Sequence, residues 1–65
     1  MSLQLDLQNV TNGRNDATNF TAQLIRLIFK ADGSNREKLR LGFPNAVEAV
    51  EAYQEDGSIP DLPYD

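Results

Sequence analysis

The segment 20–31, Phe-Thr-Ala-Gln-Leu-Ile-Arg-Leu-Ile-Phe-Lys-Ala, constrains this chain more than any other. It reads as a helix that is apolar on almost every side. Phe20, Leu24, Ile25, Leu27, Ile28, Phe29 and Ala31 leave only Gln23, Arg26 and Lys30 as a polar stripe. A surface helix of a small domain has one apolar face. A helix this apolar needs neighbours on several sides, and a 65-residue chain has few elements to supply them. The pattern points to a partner chain.

Length sharpens the point. A single domain of this size buries roughly 60% of the surface its unfolded chain exposes. Its core supplies about 3–5 kcal/mol, so small scaffolds need a staple. There is no cysteine and no histidine. Disulfides, thiolate metal sites, the commonest zinc ligand and the commonest general acid–base are thereby excluded. Oligomerisation is the staple that remains. The chain is 40% hydrophobic and 25% charged, which is ordinary for a globular domain. No apolar run approaches the ~20 residues that cross a bilayer, and no basic start with an apolar block marks a signal peptide. The expectation is a soluble, intracellular protein that does not engage a membrane.

The net charge of −4 is unevenly spread. Arg14, Arg26, Lys30, Arg36, Lys38 and Arg40 all precede residue 41, so the first 42 residues, with four acids, carry +2. Residues 43–65 carry Glu48, Glu51, Glu55, Asp56, Asp61 and Asp65 without a base, giving −6. Such halves can pair within one chain or head to tail between two. This is not the overall basic footprint of a dedicated nucleic-acid binder.

Residues 1–10 alternate apolar and polar at Leu3, Leu5 and Leu7, the period of a half-buried strand. A helix there would use Leu3, Leu7 and Val10 but strand Leu5 on another face. The alternation favours a strand or extended arm, and the opening Met-Ser-Leu also reads as a leader. Residues 11–15 contain Asn12-Gly13, a turn dipeptide. A helix is expected over residues 17–31, capped by Asn15, Asp16, Thr18 or Asn19. Asp32-Gly33 stops it, with Gly33 in the left-handed position. Ser34 and Glu37 have the spacing of a capping box, opening a short helix to Leu41. Phe43-Pro44 opens the third helix, since proline suits a first turn. Val47, Val50 and Tyr53 share its apolar side, Ala46 and Ala49 allow close approach, and Glu48, Glu51 and Glu55 form a ridge elsewhere. Asp56-Gly57 ends it. The tail, with Pro60 and Pro63, is neither helix nor central strand; Ile59, Leu62 and Tyr64 are apolar teeth on an acidic, extended segment. The fold expected is mainly α: three helices as a core over residues 16–56, an extended or β-strand arm over 1–15, and an extended tail over 57–65.

One set of residues spreads through the middle of the chain: Asn19-Phe20-Thr21, Leu24, Arg26-Leu27-Ile28, Lys30-Ala31-Asp32, Asn35-Arg36, Lys38-Leu39, Gly42-Phe43-Pro44, Val47-Glu48-Ala49 and Tyr53-Gln54. Through them residues 19–54 resemble a small protein type of bacteriophage and prophage genomes, by general pattern and without a catalytic signature. The resemblance implies phage or bacterial origin, hence the cytoplasm of a bacterial host, and implies neither a named fold nor an activity.

Catalytic candidates fall away on chemistry. Glu48, Glu51 and Glu55 lie opposite the apolar face, where paired carboxylates lack the burial that separates their acidities. There is no calcium-loop pattern, and Ser34 has no histidine to activate it. No catalytic residue, metal or cofactor is expected. Two surfaces remain. Ile25, Leu27, Ile28, Phe29 and Tyr53 are candidates for a protein interface, most simply with a second copy. Arg26, Lys30, Arg36, Lys38 and Arg40 are candidates for the alternative, a nucleic-acid site across two helices. The two readings divide on whether the basic residues converge on an open face or are neutralised by the glutamates.

Overall fold

The computed structural model describes residues 3–13 and 19–65. Among them are four helices and no strand: α1 (Leu3–Thr11), α2 (Phe20–Lys30), α3 (Gly33–Gly42) and α4 (Pro44–Asp56). The mainly helical expectation holds, with one helix more than foreseen.

The extra helix is α1, where alternation had favoured a strand. On a helix Leu3, Leu7 and Val10 share a side, and this side packs on α2 and α4. Leu3 and Leu7 are fully buried, whereas Leu5 is exposed. Each buried leucine contributes about 1.5–3 kcal/mol, so two well-packed leucines outweigh a regular alternation of three. Leu3 is therefore a core residue. Met1, Ser2 and residues 14–18 lie outside the described residues, as do the expected start of α2 at Ala17 and the caps at Asn15, Asp16 and Thr18.

In α1 the apolar α2 gains a neighbour that the sequence reading lacked. Ala22, Leu24, Ile25 and Ile28 of α2 are buried, together with Leu3 and Leu7 of α1 and Ala46, Val47, Ala49 and Val50 of α4. Ile25 and Ile28 are thus covered within one chain and are not available to a second. Phe29 is half-buried and meets Tyr53 edge-on, with ring centroids 6.1 Å apart.

Two caps also differ from expectation. Gly33 is not left-handed but begins α3, and α2 ends through an extended Ala31. Asp32 is the N-cap of α3; its carboxylate accepts from the Asn35 amide at 2.9 Å. Ser34 lies inside the first turn, so the Ser34–Glu37 capping box does not open this helix. Asp caps as well as Ser, and starting from Asp32 lengthens the helix. The remaining boundaries are as expected: Pro44 stands in the first turn of α4, and Gly57 ends it at φ 79°.

Residues 58–65 are neither helix nor strand, and they fold back over the core. Ile59 and Leu62 pack against it. Tyr64 donates its hydroxyl to Asp6 at 2.6 Å, and Asn19 donates to the same carboxylate at 3.2 Å. Asp6 is completely buried. Asp65 accepts from the amides of Asn45 at 2.7 Å and Ala46 at 3.0 Å, capping α4, whose Phe43 has no side-chain acceptor.

Asp32→Ala should lower stability by about 0.5–2 kcal/mol in urea denaturation, and Ser34→Ala should fall within error. The Tyr64 phenol is pushed up to about 12, first by its bond to Asp6, then by burial and the Asp6 charge, with a Thr21 hydrogen bond opposing. A raised value means that this contribution is complete below the ordinary tyrosine range and is lost as pH rises through about 12. Ultraviolet titration should show a late phenol that disappears in Tyr64→Phe.

Candidate functional site

The site is built where α3 fails to close on α2. The two helices are joined through Ala31 and Asp32 alone, and α3 makes its main contact with α4. No residue of α3 is fully buried. A groove therefore runs along the side of α2 that the core does not cover. Its central hollow, of about 550 Å³, is walled by Phe20, Gln23, Leu24 and Leu27 of α2, with Leu39 and Phe43 opposite. Through Leu27 and Leu39 it continues into a hollow of about 370 Å³ edged by Lys30 and Lys38. Through Phe20, Leu24 and Phe43 it continues into a smaller hollow, about 140 Å³, reaching Tyr64 and Asp65. The groove is therefore apolar along its length, basic at one end and acidic at the other.

Phe20 is 69% exposed and Leu27 53%, large values for such side chains. Phe20 leans on Phe43, with ring centroids 5.9 Å apart. On α2 the residues Phe20, Leu24 and Leu27 follow i, i+4 and i+7 spacing, while Ala22, Ile25 and Ile28 follow one another at three-residue steps. The first stripe lines the groove and the second is buried. Of the five expected interface residues, Leu27 lines this groove. Ile25 and Ile28 are core. Phe29 and Tyr53 wall a separate hollow of about 480 Å³ with Val10, Arg26 and Lys30. Phe20, Leu39 and Phe43 also line the groove and are not among the candidates read from the sequence, although the i, i+4, i+7 stripe beginning at Phe20 carries that signal.

The basic residues do not form one open face. Arg40 makes two bonds to the Glu51 carboxylate, at 2.9 and 2.8 Å, and one to Glu37 at 3.2 Å. The Glu51 bond is the first cause that raises its pKa above the ordinary arginine value. Arg36 donates to the Ile28 carbonyl at 2.9 Å and to Gln54 at 2.7 Å, and reaches Glu51 at 4.0 Å. It thus sits as a cation at the C-terminus of α2, where the helix dipole favours it. Glu51 is consequently drawn out of the glutamate ridge, while Glu48 and Glu55 remain exposed. Lys30 and Lys38 are exposed beside the groove.

Among the described residues no three carboxylates gather as a metal-holding group, and no helix is long and apolar enough to cross a membrane. Ser34 is exposed in the first turn of α3. Comparison with protein-family models, curated proteins and solved structures finds no match for this chain.

The two basic classes should separate in denaturation experiments. Arg36→Ala removes donors from a helix-terminal carbonyl and from Gln54, and should cost about 1–3 kcal/mol. Lys38→Ala should stay within about 0.5 kcal/mol of the unmodified protein, as ordinary surface changes do.

Proposed function

We propose that this chain is a small non-enzymatic protein-interaction module that self-associates, encoded by a phage or prophage and acting in the cytoplasm of a bacterial host. The observation that supports it best is the groove beside α2, with Phe20 and Leu27 held in water. Contiguous apolar surface of this kind marks interaction sites on soluble proteins. Its floor offers apolar contact and no acid–base pair.

The alternative is a small nucleic-acid-binding regulator using the basic residues between 26 and 40. Against it, Arg36 and Arg40 are committed to Glu51, Glu37, Gln54 and a backbone carbonyl. Counterion release needs open basic groups.

Sedimentation over a concentration series tests the proposal. The unmodified protein should show a mass that rises with concentration. Leu27→Asp should bring it to the monomer with unchanged helical circular dichroism, because Leu27 lies outside the core. A monomer at every concentration would remove self-association. Duplex binding whose logarithm falls linearly with log salt, and which Arg36→Ala and Arg40→Ala abolish, would put the nucleic-acid reading first.

A further inference from the structure

We infer that the occupant of the groove is a second copy of this chain, docked antiparallel across a two-fold axis near the middle of α2. The inference rests on reading the groove as a protein-binding surface, and adds its occupant's orientation.

The charge distribution supplies the argument. Lys30 and Lys38 edge one end of the groove, and Asp65 edges the other beside Phe20 and Phe43. A two-fold contact uses the same patch on both copies. If the copies ran parallel, the lysine ends would meet and repel. Running antiparallel, Lys30 and Lys38 of each copy meet the Asp65 end of the other, so both ends are matched at once. The apolar pattern agrees with this register. Phe20 stands at the acidic end and Leu27 toward the basic end. An antiparallel contact about the middle of α2 therefore brings the exposed ring of each copy to within about 5 Å, along the helix axis, of the other's exposed leucine, with Leu39 beside it. A parallel contact would stack ring on ring and leucine on leucine while crowding the lysines. Rim charges of this kind fix register and orientation more than they add affinity.

The chain has no cysteine, so single-cysteine variants report position without background. Gln23 lies two residues from the middle of α2 and Lys30 five, and both are exposed. In the antiparallel arrangement their self-pairs are offset along the axis by about 6 Å and about 15 Å, at 1.5 Å per residue. In a parallel one neither is offset. The experiment is oxidation of full-length Gln23→Cys and Lys30→Cys, followed on non-reducing gels alongside the sedimentation mass. Gln23→Cys should form the covalent dimer and Lys30→Cys should not. The unmodified dimer should weaken as salt rises, and a Lys30→Gln/Lys38→Gln variant should dissociate more readily and lose that salt dependence.

Equal cross-linking by both cysteine variants, in a protein that dimerises and is broken by Leu27→Asp, would overturn the antiparallel orientation and leave the groove as the interface. A dimer insensitive to Leu27→Asp that cross-links at neither position would overturn the groove itself. A protein monomeric throughout would overturn the second copy as occupant.

Discussion

A carboxylate removed from water is costly unless its charge is met by donors, and Asp6 makes that demand on the rest of the fold. It projects from the first turns of α1 and is met by Asn19, immediately before α2, and by Tyr64, far along the tail. Docking of α1 therefore requires both of these segments in place. Only with α1 docked do Leu3 and Leu7 cover the side of α2 that carries Ile25 and Ile28. One polar cluster thus links the N-terminal helix, the entry to α2 and the tail, while the apolar core depends on the first of them. A phenol and an amide suit the task because each donates a directed hydrogen bond without bringing a second charge into the interior.

The sequence made the helical class and most boundaries legible where local chemistry acts alone. Pro44 and Gly57 mark the ends of α4 through constraints of their own backbones, which no tertiary contact had to supply. The N-terminal segment was not legible in that way. Leu3, Leu5 and Leu7 satisfy a strand pattern, and the choice went to a helix because α2 and α4 offered a surface for Leu3 and Leu7. Asp32 and Ser34 compete for one cap within three residues, and spacing alone could not rank them. For the candidate site, the excess of apolar residues on α2 was visible, but its division was not. Ile25 and Ile28 go inward while Phe20 and Leu27 stay in water, a partition set by where α1 and α3 lie.

The same geometry sorts the charges. Glu51 draws Arg40 and Arg36 to the α3–α4 seam, so the net basic character of the middle of the chain is spent largely on holding two helices together. Lys30 and Lys38, on the side away from that seam, give the groove its charged end. Apolar walls supply contact area and the terminal charges supply direction. The fold leaves this surface open because α3 makes its main contact with α4, and Leu39 is the α3 residue that packs toward the core.

The bond between Tyr64 and Asp6 joins residues 58 positions apart, which bears on how the molecule opens. Closing so large a loop carries an entropic cost that grows only slowly with its length, and the rest of the tail is held by Asn45 at the start of α4 and by the core under Ile59 and Leu62. Segments of a protein open as cooperative units with different free energies. Here the tail and the first turn of α4 form such a unit, since Asp65 binds the amides of Asn45 and Ala46. Their hydrogen-exchange protection is therefore a gauge of tail release: solvent reaches those two amides when the far end of the chain lets go, while the deeper turns of α4 stay closed.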